Sequence, residues 1–432
     1  MTKKVNKVFA VVFSAIVFIL MLALISGKVF SRQIAELQKK SNILNAGIIN
    51  INWEELYPYD TVVDEIKNTD TSDEPSAGPL SQVINRYSNR MLYFGSLGNS
   101  WAKRMYKYPE IAQSGFAISA ALTDPSVTKS YIKLNNGYWV LAVPDELTLN
   151  DTKKSMAKYA SLDNYLKEEG IPLLYCLAPS KVCARDDELP NDVIHYGNHN
   201  IDMYIQALDE YGIENIDMRQ MLHKSGLDHY ALFYKTDHHW NIDAGIWAAS
   251  IIEEEINRRY DIEMDDVYDL GAFRRTTYEN AMFGSIGQGV THFVEKSEDF
   301  DILYPEFETN FRLEIPDKEI DAEGSFEDIF INYDGLEYCI HQGGGYAYEQ
   351  ILYGNRPYVK ITNLLNTDGP KILMMRDSFS IAAAPYLALS CSELVLLDTR
   401  YFTGSVINCI DSFKPDVVMT LQSYALYLLI NK

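Results

Sequence analysis

Only eight histidines occur in this 432-residue chain, and two of them stand side by side in "KTDHHWN", Lys235 to Asn241. An aspartate two residues ahead of a histidine can fix the ring's tautomer through one nitrogen and leave the other free as a base. Such a pair needs a nucleophile. The stretch "ILMMRDSFS" supplies a candidate, since an apolar run ending in Asp-Ser puts Ser378 at a strand-to-helix turn. The first amides of the helix that follows could hold an oxyanion there. A serine hydroxyl is weak alone and would rely on His239 as its base. The same arrangement is also an ordinary helix N-cap, so on the residues alone Ser378 stays open between the two roles.

A metal site is the rival reading of Asp237, His238 and His239, with Asp377 and Asp398 as spare carboxylates. A metal-dependent phosphoesterase needs further acidic clusters at strand ends to hold two ions. No Asp-x-Asp segment precedes residue 237 in a strand context. The metal reading therefore ranks behind the serine, with no metal assigned and no cofactor expected.

These side chains must be positioned by regular elements. Asn241 is a good N-cap, and Ile242, Ile246, Ala249, Ile252 and Ile256 recur behind it at helical spacing. Asp237 and His239 precede that helix, in a segment expected to be extended. Spacing of i, i+2 would then point both to one side and His238 to the other. His238 is accordingly read as structural, and Trp240 as packing beneath the loop. Four short apolar runs, within Ile171–Lys181, Pro370–Ser380, Glu393–Arg400 and Pro415–Ser423, alternate with helical stretches. Buried parallel strands look like this, so the fold class is α/β, with its ligand site at the strands' carboxyl ends. Those ends carry Ser180, Lys181, Asp377, Ser378, Asp398, Arg400, Gln422 and Ser423. Residues from about 262 to 360, rich in Gly and Tyr with short alternating runs, read as an insertion or a β-rich cap.

Composition sets outer limits. A formal charge of −22 disfavours nucleic acid, whose phosphates call for basic surfaces. Nineteen uncharged residues, Val8 to Ser26, follow Lys3, Lys4 and Lys7. At the rise of a helix they would span roughly 28 Å, about one hydrocarbon thickness. No small-residue cleavage site follows, so residues 1–27 are expected to be an uncleaved single-pass anchor with a cytoplasmic N-terminus. Residues 28–80 read as a stalk and an acidic linker, and 81–432 as the folded domain outside the membrane. Five cysteines without a C-x-x-C pair read mainly as buried thiols, with a Cys176–Cys183 bridge left open.

With "DHHW" followed by a later strand ending in "RDSF", the chain resembles the bacterial DHHW family. That family is related to the SGNH-hydrolase-like proteins of alginate O-acetylation. "LLYCLAPSKVCARDDELP", "FGSIGQG" and "LLDTRYF" resemble segments of the same proteins. The resemblance implies an SGNH-hydrolase-like parallel sheet flanked by helices, with Asp237, His239 and Ser378 at the three triad positions. It also implies an O-acetyltransferase or acetylesterase acting on a cell-surface polysaccharide, served by a membrane-bound O-acyltransferase partner. Arg376 stands where the Gly of "GDS" is expected, which would crowd or recharge the oxyanion site. No "GxND" block is present, which leaves Arg376, Arg400 and Gln422 as candidate oxyanion or substrate contacts. A scaffold that binds polysaccharide through a disused active site is the non-catalytic alternative.

Overall fold

The computed structural model describes residues 130–290 and 295–423. The apolar run, stalk and linker lie outside the described residues, among which no helix is long and apolar enough to cross a membrane.

The four apolar runs form strands. A short hairpin, β1 (Tyr131–Lys133) and β2 (Trp139–Leu141), precedes β3 (Leu173–Leu177) and β4 (Asn215–Asp217). An antiparallel pair follows, β5 (Phe273–Met282) with β6 (Glu298–Pro305). Then come β7 (Phe311–Ile315), β8 (Ile320–Gly324), β9 (Tyr358–Asn363), β10 (Lys371–Arg376), β11 (Glu393–Asp398) and β12 (Val417–Gln422). The main sheet runs β4-β3-β12-β10-β11-β9-β7-β8. From β4 to β11 every pairing is parallel, whereas β9, β7 and β8 continue the sheet antiparallel. The sheet is thus mixed rather than purely parallel. Much of the segment expected as a cap instead extends the sheet's edge, while β5 and β6 pair as a separate two-stranded sheet.

Side-chain alternation on the central strands builds two cores. Ile372 and Met374 of β10 face one layer, while Leu373 and Met375 face the other. On the second face lie α1 (Leu149–Glu169) and α2 (Gly197–Tyr211), through Met156, Leu166, Ile201 and Leu208. On the first lie α3 (Ile242–Arg259) and α5 (Ser380–Leu387), with the short α4 (Ser285–Val290) between them in sequence. Each fully buried aliphatic side chain contributes about 1.5–3 kcal/mol relative to exposure. Gly245 lets α3 and α5 meet, because a Cβ there would collide with the carbonyl of Ala382. The N-cap reading of Asn241 holds, its side chain accepting from the Ala244 N–H. All five cysteines are free thiols, including Cys176 and Cys183.

Candidate active site

Strand β10 ends at Arg376, and Ser378 occupies the turn before α5 at the carboxyl end of the sheet. The turn is fixed by Asp377, whose carboxylate accepts from the Phe379 N–H at 2.9 Å and from the N–H and hydroxyl of Ser423 at 2.7 and 2.8 Å. Since Ser423 directly follows β12, one buried aspartate joins two strand ends beneath the serine. The Ser378 N–H has no acceptor among the described residues.

The segment carrying Asp237 is a tight loop rather than an extended strand. A bridge between Phe233 and Trp240 and a bond from the Asn241 N–H to the Leu232 carbonyl close its base. Residues 235–239 bend at its tip. Asp237 Oδ1 accepts both the His239 N–H at 2.9 Å and His239 Nδ1 at 2.6 Å. The convergence anticipated from i, i+2 spacing therefore arises from an aspartate turn, not from strand alternation. The same bend brings His238 alongside instead of opposite, its ring 3.8 Å from that of His239. His238 Nδ1 meets the Ser285 hydroxyl at 2.9 Å. Trp240 does pack beneath, and its indole N–H donates to the Phe379 carbonyl at 2.8 Å.

His239 Nε2 lies 2.7 Å from Ser378 Oγ, so Asp237, His239 and Ser378 form one continuous hydrogen-bonded line, all three buried. Burial alone would raise the Asp237 carboxyl. The imidazoles of His239 and His238 and the Ser285 N–H instead hold it well below the usual carboxylate range. Burial, reinforced by His239, pushes His238 down to about 3, so His238 is a neutral ring at neutral pH. Tyr348 stacks on His239 and donates its hydroxyl to the Ser378 carbonyl at 2.9 Å. Gly284 is required by close approach, because a Cβ there would strike the Asp237 side chain. A cleft lined by Val140, Leu141, Pro179, Phe379, His238 and Ser423 opens beside the site, with about 360 Å³ of space shared with solvent.

Asp237, His238 and His239 could also offer three metal ligand atoms within 4.8 Å of one another. Both nitrogens of His239 already face protein partners, Asp237 and Ser378. The spare carboxylates are engaged as well, Asp377 with Ser423 and Asp398 with Arg400. That donor set fits proton transfer better than a metal.

The three candidate oxyanion or substrate contacts lie elsewhere. Arg400 is clamped by both oxygens of Asp398, at 2.8 and 2.5 Å, and by Asn355. Gln422 accepts the phenols of Tyr159 and Tyr175 on the far face of the sheet. Arg376 runs inward to the carbonyls of Gly354 and Arg356, so it does not crowd the serine. Its Nε and Nη1 have no partner among the described residues, and burial pushes its guanidinium down to about 10. Arg376 and Gln422 end β10 and β12, and Arg400 lies in the turn after β11, each held by the partners just named. Tyr348, Ser285 and Asp377 hold the site in ways the sequence reading did not assign. Ser285 opens α4 and Tyr348 lies in a short 3-10 turn, Ala347–Gln350, both far along the chain from His239. The stretch "FGSIGQG" contains Ser285, but its spacing from the histidines gives it no role.

A mixed α/β sheet flanked by helices, with polar groups gathered at the parallel strands' carboxyl ends, is consistent with an SGNH-hydrolase-like domain. Residues 140–279 match the family model of the SGNH hydrolase-like domain of the acetyltransferase AlgX. Among solved structures, PatB1 of Bacillus cereus is similar with a TM-score of 0.56 and 20% identity, covering 67% of this chain and 94% of that one. A second PatB1 structure, with a sulfonyl adduct, gives 0.54 and 19% over the same shares. A DHHW family protein from Eubacterium siraeum gives 0.50 and 17%, covering 67% and 88%. No curated protein matches the chain. The resemblance to the DHHW family and to the alginate acetyltransferase-type proteins is thus supported by a family model and by fold.

Proposed function

We propose that this domain is a serine O-acetyltransferase or acetylesterase acting on a polysaccharide through an acetyl-serine intermediate. The observation that carries the reading is the line from Asp237 Oδ1 through His239 to Ser378 Oγ, with contacts of 2.6 and 2.7 Å. Asp237 holds the proton of His239 Nδ1, which leaves Nε2 to accept the serine proton. Ser378 Oγ then bonds to the acetyl carbonyl carbon, and the oxyanion faces the serine's own N–H. Collapse expels the donor's alcohol, which takes the proton from His239, and acetyl-Ser378 remains. A sugar hydroxyl, or water in the esterase case, gives its proton to Nε2 and attacks. Collapse releases the acetylated product and returns the proton to Ser378. A neutral His238 in the cleft adds no charge that would oppose the imidazolium formed in each step.

The match to an acetyltransferase family model supports the acetyl group as cargo, and the polysaccharide acceptor rests on the resemblance of "DHHW" and "RDSF" to the proteins of alginate O-acetylation. A sulfonyl adduct on PatB1 supports a nucleophile in that fold. An N-terminal anchor with the domain outside the membrane, and a membrane-bound acyltransferase that supplies acetyl groups, complete the proposal. The uncharged run and the acidic remainder are what support that topology. Deleting the gene and measuring acetyl content of the cell-surface polymers tests the role. A loss is expected, and unchanged acetylation would remove it. Protease applied to intact cells or wall-stripped protoplasts should remove the large domain, and full protection would overturn the topology.

A further inference from the structure

Lys181 follows β3 and is buried, and its ammonium sits among four backbone carbonyls. It donates to Trp139 O and Tyr234 O at 2.5 Å each, to Asp237 O at 2.8 Å and to Lys235 O at 3.2 Å. Three of the four belong to the loop that carries the triad aspartate, and one is the carbonyl of Asp237 itself. The amide side of the same loop is held by Glu298 at the start of β6. Its carboxylate accepts from the Lys235 and Thr236 N–H groups at 2.7 Å each and from the Thr236 hydroxyl at 2.5 Å. A cation therefore grips the loop by its carbonyls, and an anion grips it by its amides.

An ammonium has three hydrogens for these carbonyls, whereas a neutral amine has two and turns a lone pair on an acceptor. The loop geometry that presents Asp237 to His239 is thus tied to the protonated form. We propose that Lys181 is a positioning residue whose protonation, supported by Glu298, sets the alignment of Asp237 and His239 and gives the site an alkaline limit. This rests on the proposed function and names a regulation of the same site.

The ionisable groups facing Lys181 are consistent with a proton held in balance. Glu298 and Asp237 favour the charge, His238 is neutral at neutral pH and leaves it unopposed, and Tyr138 places its ring 5.3 Å beneath the ammonium. Lys235 turns its own ammonium to Glu295, and His229 meets the Lys181 carbonyl rather than its ammonium. Burial drives the Lys181 ammonium down to about 7, against the pull of Glu298 and Asp237. Burial likewise lifts the Glu298 carboxyl, against the bonds from Thr236 and Lys235.

The test is the pH profile of kcat/KM for an activated acetyl ester, using the full chain, with Ser378→Ala alongside. The wild type is expected to lose activity above neutral pH. Glu298→Gln removes the favouring charge and should move that limb to lower pH, by on the order of one unit. Lys181→Arg, which stays charged throughout, should remove the limb while retaining activity near neutral pH. Lys181→Met should lower kcat at least about tenfold, or fail to fold because four carbonyls lose their donor. A Ser378-dependent turnover whose alkaline limb is unmoved in folded Glu298→Gln and Lys181→Arg would overturn the clamp alone. Turnover that survives Ser378→Ala, or no turnover at all, would overturn the functional reading alone. In either of those cases NMR of 13C-labelled lysine decides the clamp. The His239 ring signals should shift in step with the titration of the Lys181 Cε signal, and a Lys181 titration with no response at His239 would overturn it.

Discussion

The ring of Tyr348 lies 4.4 Å from that of His239, with 15° between their planes, while its hydroxyl bonds to the Ser378 carbonyl. One buried side chain therefore fixes both the base and the backbone of its partner. Tyr348→Phe keeps the stack and loses the bond. It should cost about 1–3 kcal/mol in urea unfolding, the range for orphaning a buried acceptor. Tyr348→Ala removes the ring and should cost about 3–5 kcal/mol, as other buried aromatic deletions do. Equal losses for the two would show that the ring contributes nothing.

Substitutions along the triad should rank by role. Ser378→Ala and His239→Ala should each lower acetyl-ester turnover by roughly 10⁴-fold or more, and Asp237→Asn by about as much or somewhat less. His238→Ala should be milder, because that ring meets Ser285 and the cleft but not the serine. Wild-type turnover from Ser378→Ala, or turnover abolished by a chelator alone, would replace the triad with the metal reading.

Gly284→Ala tests how closely the aspartate is held. No positive φ is involved, so the backbone should tolerate alanine. The new methyl would displace Asp237, and kcat should fall at least about tenfold while the far-UV spectrum is unchanged. An unchanged kcat would mean that the approach of Gly284 to Asp237 does not constrain the carboxylate.

The Asp237 carboxyl also makes stability depend on pH. Its folded value lies below the unfolded one, so its contribution is fully present above the ordinary carboxyl pKa of about 3.9. That contribution is lost as pH falls through the folded value. Urea unfolding of wild type and Asp237→Asn should differ most near neutral pH and converge in acid. A difference that stays constant from pH 6 to below about 3 would contradict the depressed carboxyl.

The four apolar runs were legible because a strand buried on both faces leaves no alternation to misread, and they became β3, β10, β11 and β12. Asn241 was legible because capping is local. The character of residues 262–360 was not, since β7 and β9 alternate like surface strands although they extend the central sheet. His238 was misplaced because the i, i+2 rule presumes extended backbone, whereas the Asp237 side chain bends the loop by accepting the His239 N–H. Arg376, Arg400 and Gln422 were placed at or just past strand ends correctly, but the direction of each side chain depends on partners such as Asp398. Tyr348 and Glu298 act through contacts between distant segments, which spacing along the chain does not encode.

The most direct measurement is mass spectrometry of the intact protein and its peptides after brief exposure to an activated acetyl ester. A single added acetyl group on Ser378 is expected, absent from Ser378→Ala and trapped longer when no sugar acceptor is supplied. An acetyl group found elsewhere, or none on a folded protein that still turns over the ester, would contradict the serine mechanism.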